Sequence, residues 1–169
     1  MTKVAIAYHS SYGHTEAVAE AVRDGVKRVP GVEALLVNVT EIEDKWDILH
    51  NADAIIFGCP TYIGSASAEF KKFIEATSAF WGQQLWKDKL AAGFTNSGSQ
   101  SGDKLNTLIQ LAIFAAQHSM IWVTLGMLPG NNSSTGRVQD LNRLGGWLGA
   151  MPQSNTDQGP DDAPPDTDR

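Results

Sequence analysis

Residues 3 to 15 (Lys-Val-Ala-Ile-Ala-Tyr-His-Ser-Ser-Tyr-Gly-His-Thr) constrain this chain more than any other stretch. Val4 to Tyr8 is a short apolar run with strand character. It ends in a loop of small and hydroxylated residues, and an alanine-rich helical pattern from Glu16 to Lys27 follows at once. A strand that empties into the positive end of a helix makes an anion site. The first helical N–H groups have no partner inside the helix, and the aligned peptide dipoles favour negative charge there. Ser10, Ser11 and Thr15 add hydroxyl donors, and Gly13 lets the backbone curl close to a guest. No Lys or Arg lies between residues 4 and 22, so a phosphate here would be held by neutral donors. The lysine-bearing G-x-x-x-x-G-K-[ST] pattern is absent. The stretch suits a tightly kept monophosphate; the alternative is an ordinary strand-to-helix turn with an N-cap serine.

Further along, short β-type runs alternate with longer helical ones, which argues for βαβ units and a parallel sheet. The pattern predicts strands at 3–8, 33–38, 54–58, 89–95 and 119–125, and helices at 14–28, about 41–50, 66–79 and 103–117. Pro30-Gly31 ends the first helix. Val32 to Val39 and Ala54 to Gly58 are apolar enough for sheet interior. In the fourth helix Leu105, Leu108, Ile109, Ala112 and Ala116 recur at helical spacing, which predicts one buried face. Residues 127–146, rich in Gly, Asn and Ser, read as an excursion that returns as an extended piece at 147–151.

Composition narrows the classes. At 42% hydrophobic and 19% charged residues, the chain of 169 reads as one soluble globular domain over 1–151. No apolar run approaches the roughly 20 residues that span a bilayer. Residues 152–169 form an acidic, proline-rich tail, expected to be disordered or draped over the surface. The net charge is −6; residues 151–169 hold five aspartates and one arginine, leaving −2 on residues 1–150. So small an excess of acid gives the body little to build the steering face of an electron-shuttling protein. Basic residues form no stripe for nucleic acid. A single cysteine, Cys59, excludes an internal disulfide framework and fits a reducing cytoplasm. It reads as a small buried filler. No Cys/His cluster has metal-ligand spacing, so no metal is expected.

Ser-Ser-Tyr-Gly-His-Thr directly after a first strand resembles the phosphate loop of the flavodoxin-like flavoproteins, and is most similar to that of the WrbA-type NAD(P)H:quinone oxidoreductases. Gly58–Gly64, Phe80–Trp86, Phe94–Gly102 and His118–Val123 match the same proteins in order, covering most of residues 1 to 123. The resemblance implies an α/β, flavodoxin-like, doubly wound five-stranded parallel sheet in the order 2-1-3-4-5. Its ligand would lie at the carboxyl ends of the strands. The excursion then falls after or within strand five. The fold usually ends in a further helix, and no such pattern follows Met151; either the chain is truncated relative to its relatives or a partner covers that face.

The resemblance also implies a binding site for FMN made by three loops. Ser10, Ser11, Tyr12, Gly13, His14 and Thr15 would wrap its phosphate, with His14 facing either the phosphate or solvent. Pro60, Thr61, Tyr62, Ile63 and Gly64 would lie against the ring, Tyr62 stacking on it. WrbA-type sequences usually place arginine then phenylalanine where this chain has Tyr62 and Ile63. Thr95, Asn96, Ser97, Gly98, Gln100 and Asp103 would supply the third loop, whose donors face the polar edge of the ring. Asp103 either accepts from a ring N–H or caps the helix that begins there. His118 matches a histidine that the family keeps near the flavin, and would act there as a catalytic residue or stay structural. Trp81 matches an aromatic brought over a neighbouring subunit's flavin, or packs in the core or an interface. Five tryptophans in so small a domain point to a homo-oligomer, dimer or tetramer.

The expected activity is transfer of electrons from NAD(P)H through FMN to a quinone-type acceptor, chemistry that needs positioning more than a dedicated acid or base. Two rivals stand beside it: a one-electron carrier, and a scaffold that binds no flavin.

Overall fold

A computed structural model describes residues 1–169. β1 (Thr2–Tyr8) lies at the heart of a parallel sheet, between β2 (Val32–Asn38) and β3 (Ala54–Tyr62). β5 (Leu90–Asn96) follows β3, and β6 (Ile121–Trp122) closes the far edge; β4 (Ser65–Ala66) is a short hairpin return on β3. Counted without that hairpin, the order is the expected 2-1-3-4-5. Alternation along β1 explains its place. Ala5 and Ala7 face the larger core cluster, Ile6 and Tyr8 the smaller, and all four are buried.

The two faces are unequally covered. On one side α2 (Trp46–His50), α3 (Ala68–Ala76), α4 (Ser78–Trp81) and α5 (Lys104–Gln117) enclose an aromatic core of Phe57, Phe70, Phe73, Phe80, Trp86 and Phe114. On the other, α1 (His14–Lys27) lays Val18 and Ala19 against Ile6, Tyr8 and Phe94. No helix is long and apolar enough to cross a membrane.

Several elements depart from the pattern reading. β2 is an edge strand, so only Val37 within it is fully buried, and its apolar residues are half-covered by one neighbour. The second helix shrinks: Asn38 accepts from the Thr40 N–H at 3.1 Å and turns the chain into a 3-10 segment, Val39–Glu41, before α2 begins. The third helix is divided at Thr77, whose hydroxyl donates to the Ile74 carbonyl at 2.6 Å. β3 runs on to Tyr62, which makes Pro60 and Thr61 strand residues. The buried face of α5 is Lys104, Thr107, Leu108, Leu111, Phe114 and Ala115, while Leu105 and Ile109 are exposed. The apolar residues of that helix exceed what one face holds, and the stripe Leu105, Ile109, Ile113 is left outward.

Strand five is split. Ile121 and Trp122 pair with the lower end of β5, at Leu90 and Ala91. The chain then leaves the sheet and returns beside the upper end, where Ala150 bridges Phe94 and Gln153 bridges Ser97. The Trp122 indole ties the two halves by donating to the Leu148 carbonyl at 3.0 Å. The tail is packed on the domain: Pro152, Ser154, Ala163 and Pro164 are buried, and its only helical element is the 3-10 turn Asp166–Asp168.

Candidate functional site at the carboxyl edge of the sheet

Four chain segments converge where β1, β3 and β5 end, around a cavity of about 510 Å³. The volume lies within the range of roughly 300–1,000 Å³ usual for small-molecule sites. Ser10 and Tyr12 come from the β1–α1 loop, His14 and Thr15 from the first turn of α1, Pro60, Thr61 and Tyr62 from β3, and Asn96, Ser97 and Gly98 from the end of β5 and just beyond it. Ser154, Asn155, Thr156, Gln158 and Gly159 come from the tail.

The first segment turns on Gly13, whose φ of 88° is left-handed and suits glycine. Its N–H donates to Ser10 Oγ at 3.0 Å. No side chain caps α1, so the first-turn N–H groups face the cavity end without a side-chain acceptor. The Tyr8 hydroxyl, beside the loop, donates to Glu16 at 2.6 Å; burial first, and that carboxylate second, raise its pKa well above the ordinary phenol value. His9 is buried, bonded through Nδ1 to Ser67 Oγ at 2.8 Å, and burial lowers its pKa.

Beneath the cavity a chain of buried hydroxyls locks β3, β5 and α5 together: Thr61 Oγ1 lies 2.7 Å from both Thr95 Oγ1 and Thr107 Oγ1. Thr95 is thus fully buried below the site and does not line it. The third loop is underpinned by Lys104, fully buried, whose Nζ donates to Ser97 Oγ and to the Ser99 carbonyl, both at 2.7 Å. Desolvation pulls its pKa down to about 8.

The predicted residues divide accordingly. Ser10, Tyr12, His14, Thr15, Pro60, Thr61, Tyr62, Asn96, Ser97 and Gly98 come together on one cavity. Ser11 is exposed beside it, and Gly13 faces Pro160 of the tail. Ile63, at φ 48°, is fully exposed, with Gly64 beyond it in the hairpin turn. Gln100 and Asp103 border a separate surface depression with Leu105 and Arg143. Asp103 occupies the N-cap position of α5, yet its carboxylate makes no capping bond.

His118 is placed elsewhere. It is buried against Trp86 and Phe114 and borders a cavity between α3, α4 and α5 that also includes Trp81. Burial lowers its pKa. Its matched context carries it to just before β6, which pairs with the first residues of β5, at the opposite end from the carboxyl edge. Trp81 is half-exposed, with its indole N–H on the Gln117 carbonyl at 2.8 Å, and Trp86 is fully buried. Cys59 is buried as expected, and burial pushes its thiol up to about 12.

Pattern reading missed the tail wall and Lys104. The Ser-Asn-Thr-Asp-Gln-Gly run at 154–159 has the small, polar make-up of the other loops, and it follows directly on the predicted return of strand five. That continuity was the available signal. Lysine at 104 gave none, because its neighbours Leu105 and Leu108 suggest another buried face.

Comparison with known proteins places this geometry. Residues 38–133 match the NADPH-dependent FMN reductase family model. The chain is 44% identical to flavodoxin FldP of Pseudomonas aeruginosa (strain UCBPP-PA14), covering 93% of this chain and 84% of that protein. It is 36% identical to quinone-oxidoreductase QR2 of Triphysaria versicolor, over 74% of this chain and 70% of the relative. Among solved structures, a WrbA-like flavodoxin from Agrobacterium tumefaciens superposes with a TM-score of 0.73 at 40% identity, covering 91% of this chain and 84% of that one.

The residues present fit FMN. An uncapped helix start and the Ser10 and Thr15 hydroxyls offer donors at one end of the cavity, and Tyr12 and Tyr62, both exposed, offer flat surfaces at its mouth. Asn96, Ser97 and Gly98 supply a polar edge opposite. Matched in family model, relatives, fold and donor set, the chain belongs to the NADPH-dependent FMN reductase family, as a flavodoxin-like FMN protein near the WrbA type.

Proposed function

We propose that this protein is an FMN-dependent oxidoreductase that passes electrons from NAD(P)H to a quinone or a similar flat acceptor. FMN supplies a ring able to take up and release two electrons. The chain would bind the phosphate at the α1 start through Ser10, Thr15 and the first-turn N–H groups, with His14 holding the adjoining tail, and would orient the ring between Tyr62 and the Asn96–Gly98 edge. The carrying observation is the placement of Tyr12 and Tyr62 at an open mouth, where a planar donor and then a planar acceptor have room to approach by stacking. No acid or base residue need take part, since alignment of the partners is the main requirement.

A second reading, a one-electron carrier, is favoured by the 44% identity to a protein named flavodoxin. Turnover separates the two: purified holoprotein mixed with NADH or NADPH and benzoquinone should consume nicotinamide over many cycles. Fewer than one equivalent oxidised per flavin over minutes would give the carrier reading the advantage. A colourless protein that takes up no FMN would refute both.

A homo-oligomer is part of this proposal. The outward stripe of Leu105, Ile109 and Ile113 on α5 ends at Ile113, which lines one cavity with half-exposed Trp81, and an exposed apolar stripe of this kind is commonly buried between subunits. Sedimentation of the holoprotein checks it; a monomer at tens of micromolar would refute it.

A further inference from the structure

We infer that Ser154–Gly159 is a fourth binding wall of the FMN site, and that the buried Arg143–Asp168 ion pair is the latch that seats it. The inference rests on the FMN reading above and deepens it.

The wall touches both other ends of the cavity. Towards the phosphate loop, His14 Nε2 lies 2.8 Å from the Gln158 carbonyl, and Pro160 packs so closely on Gly13 that a Cβ there would meet its ring at 2.8 Å. Towards the third loop, Ser154 Oγ donates to Asn96 Oδ1 at 3.0 Å and Gln153 Nε2 donates to the Gly98 carbonyl at 2.9 Å. A Cβ on Gly98 would meet Thr156 at 2.5 Å. The tail therefore fixes two loops, those after β1 and β5, that lie on opposite sides of β3 in the sheet order.

One carboxylate holds the tail down. Asp168 receives Arg143 in a two-pronged bond, Nε at 2.8 Å and Nη2 at 2.7 Å, with the two side chains only 5% and 10% exposed. The same carboxylate accepts from the Gln153 N–H at 3.0 Å, and Arg143 reaches Gln153 Oε1 at 3.1 Å. Gln153 is thus gripped by the pair at one end and bonded to the flavin loop at the other. A forked guanidinium–carboxylate bond is directional as well as strong, so it sets the position of what it holds. Arg143 comes from the excursion, which gives that segment a role in the cofactor site although none of it lines the cavity. Arg143 and Asp168 act through Gln153 and are positioning residues.

The test titrates apoprotein of the full chain with FMN, following quenching of flavin fluorescence, and measures amide hydrogen exchange of residues 154–160. Asp168→Asn and Arg143→Met should each weaken FMN at least tenfold and speed exchange in 154–160, while β1 and β3 stay protected. The double variant should lose no more than the weaker-binding single, because both remove one shared interaction. Singles that bind FMN as the unaltered chain does, or losses that add, overturn the latch and leave the FMN reading standing. An unaltered chain that binds no FMN overturns both. If a latch variant does not fold, Asn155→Ala with Thr156→Ala, at exposed positions, decides: weaker FMN supports the wall, unchanged affinity overturns it.

Discussion

His118 Nε2 lies 2.9 Å from the Thr77 hydroxyl, and its Nδ1, also buried, meets no partner. Rings of Trp86, Phe114 and Phe80 surround the imidazole, with centroids at 4.7, 5.1 and 5.9 Å. The side chain is a packing element that also closes the break between α3 and α4. Replacing it by Ala should cost about 3 kcal/mol, the scale of emptying an aromatic core position. FMN affinity of the subunit should stay within about twofold, a change under 0.5 kcal/mol. Urea unfolding and flavin titration of the same variant check both halves.

Burial holds His118, His9 and His50 below the ordinary imidazole pKa of 6.5. The unfolded chain therefore takes up protons before the folded one as the pH falls. Stability should be level just above neutrality and decline on acidification through 6.5, until the depressed native values are passed. A urea midpoint that does not move between pH 7.5 and pH 5.5 would contradict this.

Lys104 and Cys59 set the alkaline limb. Lys104, lowered by desolvation to about 8, sheds its proton in the native state before the unfolded chain does at 10.5, so it makes stability rise from pH 8 upward. Cys59 does the reverse: raised by burial to about 12 from 9.0, it keeps its proton when the unfolded thiol ionises, so stability falls above pH 9. The two slopes oppose each other between pH 9 and 10.5, so stability should rise from pH 8, level off across that interval and fall above it, and Cys59→Ala should prolong the rise to 10.5 and remove much of the later decline. The native thiol should also resist alkylation at pH 8 unless the protein is unfolded.

At Gly58 a side chain has nowhere to go, because the Phe94 ring lies flat across that position of β3. Gly58→Ala should destabilise by about 1–3 kcal/mol through overpacking, and Phe94→Leu should recover part of that loss when combined with it. Thermal melts of the two singles and the double show whether the effects couple.

Thr15 is buried at the start of α1, beside the uncapped N–H groups. Thr15→Glu places a carboxylate where the phosphate is to bind, and should weaken FMN by 100-fold or more, about 2.7 kcal/mol. Ser10→Ala loses the bond that steadies Gly13 and one hydroxyl donor to the phosphate, each worth about 1 kcal/mol, and should weaken FMN by at least about fivefold. Equal affinity of Thr15→Glu and the unaltered chain would move the phosphate elsewhere.

The sheet order and the three loops were legible because strand, loop and helix follow one another closely at each of them. The Val4–Thr15 segment declares strand, turn and helix start within twelve residues. Other features depend on contacts that periodicity does not carry. Leu105 and Lys104 are neighbours in sequence, yet the lysine is buried and the leucine exposed. Helical spacing fits more than one face when a helix is this apolar, and the Ser97 loop selects which one turns inward. The tail's composition matches that of disordered segments, but Asp168 has a buried arginine to meet, which composition alone does not reveal. His118 sits in a matched context, and a matched context fixes the neighbours in sequence, not those across the fold.

The split of strand five has a consequence for how the molecule opens. Its lower rung, at Ile121 and Trp122, is anchored beside the aromatic core, whereas its upper rung arrives from a separate pass of the chain and is held by Ala150 and Gln153. Denaturant can peel that upper rung away while the lower one stays docked, since no continuous ladder transmits the rupture. Emptying the pocket and unfolding the protein are therefore separable events, and the ligand end is the one built to give way first.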